Sequence, residues 1–492
     1  MISKKSPNKI LTKRGYAIIK DSMDFKDLKK TKNDLMVKPF ISGDYGVEAK
    51  PYPIYLESKK KLYVPKFYGF ENFGNPDHIK LSKGAKINLT FKGELREKQI
   101  PVVDAFLFTC RKGELVNKSN GGVISVPCGW GKTIMALYLI SKLNKKTIII
   151  VHKEFLLNQW KERIEEFLPT AKVGLIQGPK IDIEGKDIVL AMLQSLSIKN
   201  YDANLFNKFG FSIVDECHHI AAEVFCRALP KINTYYSLGL SATPNRTDGL
   251  TKVFKMYLGP TVYQIDKDDK CVEVRVINYF EPGNEVYTKE ELTYTQKLCL
   301  PRMINNIASN SNRNKLIIKL TKTLLAQNKQ TIILSDRRNQ LSALYGKINE
   351  FTSVGYYVGG MKQKELKKSE MCSVILGTFP MSSEGLDIPT LDAAIFATPK
   401  SSIQQSIGRI TRKQHKTLPI AYDIVDNFCM FPNQYRKREK LYKKLKYKIF
   451  KTKINVTKKI TDSSIEFSLD NLIEYEYDKK ITKSVKCLIM DD

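Results

Sequence analysis

Residues 126–133 read VPCGWGKT, and they lie between the apolar run GVIS and the amphipathic run IMALYLISKL. The first run is typical of a buried strand and the second of a helix. A loop that ends in Gly-Lys-Thr between a strand and a helix is typical of a phosphate-binding loop. The general motif has glycine where this chain has Val126, so the loop alone leaves open a nucleotide site or a chance Gly-Lys-Thr.

Short apolar runs and helical runs alternate through the first half of the chain. The strand-like runs read TIIIVH, IVLAML, FSIVDE and YSLGLSAT. The run FLLNQWKERIEEFL has an apolar face at helical spacing, made of Phe155, Leu156, Trp160, Ile164 and Phe167. This alternation predicts an α/β fold whose parallel sheet is covered by helices on both faces.

The same alternation begins again near Lys315, which predicts a second α/β domain of similar size. The stretch between the two halves, TVYQIDKDDKCVEVRVINYFEPGNEVY at residues 261–287, is interpreted as a mixed connector. We expect an accessory module over residues 1–90, β-rich or irregular, because this part is rich in Tyr, Phe and Pro without a helical period. The first α/β domain is expected over 91–262, the second over 263–435, and a basic tail over 436–492.

The charge of the chain indicates a polyanionic partner. Lys and Arg number 81 against 51 Asp and Glu, which gives a net charge of +30 at pH 7. Nucleic acid is the simplest such partner. The alternative explanation of the charge is a genome rich in lysine codons. The basic tail fits a helix that binds nucleic acid and a solvated surface helix equally well.

Cysteine usage and hydropathy exclude several classes of protein. The nine cysteines are scattered and form no C-x-x-C pair, which argues against zinc and disulfide frameworks. Neither a signal-like N-terminus nor a membrane-spanning apolar run is visible. These features predict an intracellular, soluble protein with no membrane partner. We also expect a monomer.

In a phosphate-binding loop, backbone N–H groups surround the β-phosphate and the helix N-terminus adds positive potential. Here the loop residues are Pro127, Cys128, Gly129, Trp130 and Gly131. The next residue, Lys132, is predicted to reach the β- and γ-phosphates of ATP, and the Thr133 hydroxyl to bind Mg²⁺.

An acidic pair follows a strand in IVDECHHI, residues 213–220. The carboxyl end of a parallel strand is where α/β sheets bind ligands. Asp215 is predicted to hold Mg²⁺ and Glu216 to polarise the attacking water. His218 is a candidate for coupling to neighbouring motifs, and a Cys-His-His metal cluster is disfavoured because it lacks a fourth ligand nearby.

Two further stretches of the first half carry candidate residues. LSATPNR, residues 240–246, has the hydroxyls of Ser241 and Thr243 directly after a strand. GELREKQIPVV, residues 93–103, has Gln99, whose amide offers both a donor and an acceptor to an adenine edge. Arg96 is a candidate stacking or phosphate partner.

The second half carries a loop and a helix with related chemistry. TFPMSSEGLDIP, residues 378–389, contains Gly385 and Asp387. QQSIGRITR, residues 404–412, has Gln405, Arg409 and Arg412 at helical spacing. Arginines on one domain can stabilise phosphoryl charge on ATP held by another, and the alternative is a basic surface helix.

Taken in chain order, Gln99, GWGKT, DECH, SATP, SSEGLDIP and QSIGRITR resemble the motifs of the superfamily 2 helicases. VDECH with LSATPNRTDGL looks most like the XPB-type helicases. YYVGGMKQKELKKSE with LDIPTLDAAIFATPKSSIQQSIGR looks like helicases of large nucleocytoplasmic DNA viruses, including relatives of the poxvirus transcript-release helicase. The resemblance implies two tandem RecA-like domains with ATP between them.

The resemblance also implies roles for single residues. Phosphate and Mg²⁺ would be bound by Gly129, Gly131, Lys132 and Thr133; Asp215 would bind Mg²⁺ and Glu216 the hydrolytic water. The second domain would complete the site with Gln405, Arg409 and Arg412, and would sense nucleotide or sugar-phosphate with Gly385 and Asp387. The chain departs from the XPB type at Thr247, where that type has an acidic residue, and from DEAD-box helicases at His218.

These inferences predict an ATP-dependent helicase or translocase acting on DNA in viral transcription, replication or repair. An RNA helicase acting on transcripts and a non-catalytic nucleic-acid scaffold are the alternatives. A nuclease-coupled restriction motor is disfavoured, because it requires a nuclease cluster of carboxylates and lysine that this sequence does not show. A polymerase or transcription complex is a candidate partner, and host cytoplasm or virion the expected location.

Overall fold

A computed structural model describes most of the chain. The described residues are 8–38, 50–115, 120–127, 129–202, 204–217, 222–242, 251–265, 271–384, 386, 388–411, 417–456 and 473–474. The chain divides into two compact units, Met1–Asp266 and Lys267–Asp492. Each unit has its own eight-stranded, mainly parallel sheet.

The first unit begins with a small, mainly antiparallel sheet in the order β5-β6-β2-β1-β7. The strands of this region are β1 Lys9–Thr12, β2 Gly15–Ile19, β3 Met36–Val37, β4 Tyr52–Pro53, β5 Leu56–Glu57, β6 Lys61–Val64 and β7 His78–Ile79. Its helices are α1 Phe25–Asp34 and α2 Lys66–Phe73.

The eight-stranded sheet of the first unit has the order β11-β10-β12-β9-β13-β14-β8-β15, and only β10 and β11 pair antiparallel. Its strands are β8 Asn120–Ser125, β9 Thr147–Val151, β10 Val173–Gln177, β11 Lys180–Asp182, β12 Ile188–Met192, β13 Phe211–Val214, β14 Tyr236–Ser241 and β15 Thr261–Gln264. The helices are α3 Ile100–Leu115, α4 Lys132–Leu143, α5 Glu154–Phe167, α6 Leu193–Ile198, α7 Ala222–Ala228 and α8 Thr251–Leu258.

Apolar residues cover both faces of this sheet. Ile149 and Val151 of β9 join a core with α3, α4 and α5, whereas the alternate residues Ile148 and Ile150 join a core with α6, α7 and α8. A strand that is buried on both faces needs a continuous apolar run, which TIIIV provides. The prediction of an α/β fold with a helix-covered parallel sheet is therefore confirmed.

The N-terminal sheet packs directly on this part of the chain. Tyr16, Leu62 and Tyr68 share an apolar cluster with Val253 of α8. The buried Lys66 ammonium donates to Thr234 O at 3.0 Å and to Ser237 Oγ at 3.2 Å. Residues 1–90 thus belong to the same compact unit as the domain that follows them.

The second unit repeats the architecture, with its sheet in the order β18-β19-β17-β20-β21-β16-β22-β23. The strands are β16 Glu273–Phe280, β17 Gln330–Leu334, β18 Val354–Tyr357, β19 Val374–Gly377, β20 Leu391–Phe396, β21 Ile420–Asp426, β22 Lys448–Asn455 and β23 Ile473–Glu474. The helices are α9 Glu285–Thr288, α10 Leu300–Ser309, α11 Ser311–Ala326, α12 Arg338–Ile348, α13 Gln363–Glu370, α14 Phe379–Glu384, α15 Gln404–Ile410 and α16 Phe431–Lys444.

Two features of this sheet differ from the sequence expectation. The stretch interpreted as a mixed connector contains β16, which lies between β21 and β22 in the sheet. Residues 436–456, expected in a basic tail, instead complete α16 and form β22. In the sequence, the many lysines of α16 obscure the pattern of its buried face. On that face Tyr435 and Tyr442 pack, and Arg438 pairs with Asp423 at 2.8 Å.

Among the described residues, none of the helices combines the length and the apolar character that crossing a membrane requires.

Lys66 should make the stability of the first unit depend on pH. Burial lowers the pKa of its ammonium from 10.5 to about 7. Between these values the unfolded chain binds a proton that the folded chain lacks, so stability should rise with pH, by at most about 1.4 kcal/mol per pH unit. Thermal melts of the wild type and of Lys66→Met from pH 6 to pH 10 measure this. As the pH rises above 7, we expect the melting temperature of the wild type to gain on that of Lys66→Met. If the two melting temperatures changed in parallel with pH, the lowered pKa of Lys66 would be contradicted.

Candidate active site

The VPCGWGKT loop leaves the carboxyl end of β8 and enters α4. Its start is attached to the neighbouring strand, since the Val126 N–H donates to the Ser241 carbonyl at 3.1 Å. Gly129 and Gly131 have φ values of +81° and +80°, in the left-handed region that favours glycine. The Met135 N–H donates to the Gly131 carbonyl at 3.0 Å, so the first turn of α4 closes on the loop.

Gln99 supports this loop from the segment ahead of α3. Its Nε2 donates to the Trp130 carbonyl at 2.7 Å, and its Oε1 accepts from the Arg96 N–H at 2.9 Å. The side chain is buried, and a Cβ added to Gly131 would collide with Nε2. The amide predicted to recognise adenine is thus engaged with two backbone groups, and the adenine contact itself stays a prediction.

The acidic pair follows β13, next to the loop. Lys132 Nζ lies 3.2 Å from Glu216 Oε1, and both side chains are 11 % exposed. Glu216 has φ of +45°, a left-handed conformation that costs a non-glycine residue roughly 1–2 kcal/mol. The following Cys217 N–H donates to the Leu240 carbonyl at 3.0 Å, which keeps the turn against β14.

Two donors hold the buried carboxylate of Asp215. Trp160 Nε1 donates to Oδ2 at 2.8 Å, and the Glu216 N–H donates to Oδ1 at 2.9 Å. Burial and the neighbouring Glu216 raise the pKa of Asp215 to about 6, against the opposing effects of Lys132 and Trp160. A carboxyl group with a perturbed pKa beside a cation and a second acid is typical of a catalytic site.

These residues fit ATP with Mg²⁺. Glycines in left-handed conformations let a backbone approach phosphate closely, and Lys132 supplies a cation at the helix start. Within the described part of the chain no group of three His, Cys, Asp or Glu could hold a metal by itself. Mg²⁺ takes one or two protein ligands and completes its shell with phosphate oxygens and water, so Thr133 and Asp215 would be enough protein groups to hold it.

Comparison with known proteins agrees with this chemistry. Residues 92–246 match the family described as "Type III restriction enzyme, res subunit". The mimivirus protein named "Putative ATP-dependent RNA helicase L396", from Acanthamoeba polyphaga mimivirus, is 36% identical over 484 residues, which cover 96% of this chain and 91% of the relative. The chain belongs to the superfamily 2 helicases. It is an ATP-hydrolysing enzyme, as predicted.

Two further relatives of the helicase come from other large DNA viruses. "Putative helicase 161L" of Invertebrate iridescent virus 6 is 31% identical and covers 78% of this chain and 88% of its own length. "Putative ATP-dependent RNA helicase QP509L" of African swine fever virus, isolate Pig/Kenya/KEN-50/1950, is 27% identical and covers 66% of this chain and 68% of its own length. The predicted resemblance to helicases of large DNA viruses is confirmed.

In the second unit of the helicase, Gln405 and Arg409 lie on α15. Arg409 is buried, and its Nη1 donates to the Leu386 carbonyl at 3.0 Å. Ser406 of the same helix lies 3.4 Å, hydroxyl to hydroxyl, from Ser382 of α14. α15 is therefore attached to the SSEGLDIP segment by two contacts.

Several predicted site residues lie outside the described residues: Cys128, His218, Thr243, Gly385, Asp387 and Arg412. Their assignments stay predictions. Thr133 lies in the first turn of α4, directly after Lys132, as the motif requires.

The contact of Trp160 with Asp215 was not predicted from the sequence. The helical period predicts Trp160 on the apolar face of its helix, and the residue is indeed buried in the core. Helical periodicity locates the ring but does not reveal where the indole N–H points. The available signal was chemical, since a buried tryptophan needs an acceptor for its single donor.

A methyl group at Gly131 should disturb the loop beyond the backbone cost. We expect Gly131→Ala to weaken nucleotide binding about tenfold, because the added Cβ would displace Gln99 Nε2 and break its hydrogen bond to the Trp130 carbonyl in the loop. Gly185→Ala is the matched control: it also has a left-handed φ, +65°, but its Cβ meets no described atom within 4 Å. Titration with a fluorescent ADP analogue and thermal melting measure both variants. Equal losses of affinity in the two variants would contradict the role given to the Gln99 contact.

Proposed function

We propose that this helicase couples ATP hydrolysis at the Lys132–Asp215–Glu216 site to movement along DNA, with or without strand separation. The observation that carries the proposal is the convergence of one cation and two acids at the carboxyl ends of β8 and β13. Lys132 lies 3.2 Å from Glu216, and Asp215 is fixed beside it by two hydrogen bonds.

Each side chain has a role that its position supports. The loop N–H groups and Lys132 would bind the β- and γ-phosphates, and Thr133 with Asp215 would hold Mg²⁺. Glu216 would accept a proton from the water that attacks the γ-phosphorus as the bond to the ADP oxygen breaks. Bound Mg²⁺ supplies neutralisation of the phosphate charge that develops in this reaction.

Exchange of partners at Lys132 gives the site two states. The ammonium pairs with Glu216, and a γ-phosphate would compete for the same ammonium. Binding would release Glu216 from its cation and leave the carboxylate available to water. A carboxylate that loses a nearby positive charge becomes a better base, so the exchange activates Glu216 when substrate arrives.

A physical connection extends from the loop to the SATP motif. The Ser241 carbonyl accepts from Val126 at the loop start, and the Leu240 carbonyl accepts from Cys217 beside the acidic pair. We propose that Ser241, with the predicted Thr243 and His218, couples nucleotide state to nucleic-acid binding through these bonds. Gln405, Arg409 and Arg412 remain the predicted contribution of the second unit to catalysis.

Nucleic acid is the proposed polymer along which the helicase moves, because the net charge of +30 favours a polyanionic partner. Contacts from Lys and backbone N–H groups to phosphates would make binding insensitive to sequence and sensitive to salt. DNA is favoured by the likeness of the DECH and SATP motifs to the XPB type. We propose a role in viral transcription, replication or repair, which the viral relatives support, with a polymerase or transcription complex as candidate partner and host cytoplasm or virion as candidate location.

RNA is the second candidate substrate, and a specific observation favours it. The mimivirus and African swine fever virus relatives are both named as RNA helicases. Action on transcripts would use the same ATP site, so the two candidates differ only in the strand that stimulates hydrolysis.

Lys132→Ala should abolish ATP hydrolysis, lowering kcat by at least a hundredfold, and leave nucleic-acid binding within about threefold of the wild type. The matched control is Lys142→Ala, on the same helix but at its far end, where the ammonium lies over the Tyr138 ring. Phosphate release and fluorescence anisotropy with a labelled oligonucleotide measure the two properties. Near-normal hydrolysis in Lys132→Ala would exclude this site as the catalytic one.

Hydrolysis by the wild type should be stimulated more strongly by DNA than by RNA. The measurement is steady-state hydrolysis without nucleic acid and then with single-stranded DNA, duplex DNA and RNA, at one low salt concentration. Stimulation by RNA alone would replace DNA with the transcript-directed alternative. Absence of stimulation by any strand would contradict coupling to nucleic acid in the isolated chain.

A further inference from the structure

Both tryptophans of the chain lie at the candidate ATP site. Trp130 is in the loop, with the Lys98 ammonium 4.5 Å from its ring centroid. Trp160 is on α5 and is 1 % exposed, with its ring in the core formed by α3, α4 and α5. Only one edge of the Trp160 indole is polar, and that edge faces Asp215.

We propose that Trp160 is a positioning residue for the metal, whose indole N–H fixes the Asp215 carboxylate in the orientation that binds Mg²⁺. The inference rests on the proposed function, which gives Asp215 to Mg²⁺. Trp160 would act through Asp215, since its side chain is 1 % exposed and its indole N–H donates to that carboxylate.

The geometry of the hydrogen bond supports this role. The Nε1–Oδ2 distance is 2.8 Å, and the two residues are 55 positions apart in sequence. Hydrogen bonds to an ionised acceptor are shorter and stronger than neutral ones. An indole can only donate and an ionised carboxylate can only accept, so the pair is specific in its direction.

A second donor removes the remaining freedom of the carboxylate. The Glu216 N–H reaches Oδ1 at 2.9 Å, so each carboxylate oxygen has one donor. Rotation of the carboxylate about χ2 would break both bonds. Each oxygen keeps lone-pair capacity for a further partner, and the two donors determine the direction in which that capacity points.

Simple core packing is the alternative explanation, because Trp160 fills volume between α5 and the sheet. Packing and positioning make separable demands, however. A phenylalanine would occupy much of the same space without an N–H. Removing a residue that orients a metal ligand by a hydrogen bond typically lowers metal affinity by about 10–100-fold. Removing a residue that only fills the core lowers the free energy of unfolding instead.

The first test measures Mn²⁺, as a spin probe for Mg²⁺, binding to the ADP complex of the full chain by electron paramagnetic resonance. For Trp160→Phe we expect about tenfold weaker Mn²⁺ binding, with metal-free ADP binding unchanged. Ile164→Ala is the matched control, since Ile164 is buried in the same core one turn further along α5. The control should melt at a lower temperature and bind Mn²⁺ normally. Normal Mn²⁺ binding in Trp160→Phe would overturn the proposal.

The second test keeps Trp160 and does not depend on the folding of its variants. In Trp130→Phe, Trp160 is the single tryptophan, and its emission reports the environment of Asp215. Because Trp130 belongs to the phosphate-binding loop, ADP is added at a concentration shown by titration to saturate this variant. Adding Mg²⁺ to the ADP complex of this variant should shift the emission, and Asp215→Asn in the same background should remove the shift. Emission that does not respond to Mg²⁺ would count against the proposal.

Asp215→Asn also separates this inference from the function beneath it. If that variant binds Mn²⁺ with ADP as the wild type does, the metal role of Asp215 fails and the proposal fails with it. If Asp215→Asn loses Mn²⁺ binding and Trp160→Phe retains it, only the role of Trp160 is wrong.

Discussion

The parallel pairing of β8, β14 and β13 is the constraint on which the active site depends. Ser125 pairs with Ser241 and Val214 with Gly239, so the three strands end at the same edge of the sheet. Lys132 and Glu216, 84 positions apart in sequence, thereby come within 3.2 Å. The loop, the acidic pair and the SATP segment gain their geometry from hydrogen bonds that belong to the sheet rather than to the site.

The two units bury acids for different purposes. In the second unit Asp426 accepts from Arg313 and Tyr287, and Asp423 accepts from Arg438 and Tyr442. Each of these carboxylates is matched by a cation, which is the arrangement that a buried charge requires. Burial raises the pKa of both Asp426 and Asp215, but Asp426 faces the Arg313 charge, whereas Asp215 lies beside a second acid, Glu216, that raises its pKa further. Such unfavourable placement of like charges is typical of sites where function limits stability.

Much of the fold was predictable because its signals are local. The run TIIIV indicates a strand, and the Gly-Lys-Thr loop indicates the start of a helix, each within a few residues. The order of the motifs indicated the family. The tertiary contacts of single side chains carry no such signal: Gln99 bonds the loop backbone and Trp160 bonds Asp215, both across long sequence separations. β16 was not recognised because Glu273, Arg275 and Asn278 interrupt its apolar residues, so EVRVINYF lacks the continuous apolar run of the other central strands.

The position of β16 in the sheet bears on how the chain is made. Its partners β21 and β22 span Ile420–Asp426 and Lys448–Asn455, so β16 leaves the ribosome long before either exists. The described strands of the first unit, by contrast, are all present once residue 264 has emerged. Non-local pairing of this kind forms slowly and leaves apolar strand edges exposed in the meantime. Synthesis therefore yields a finished first unit attached to a second one that is vulnerable to aggregation until its last strands appear.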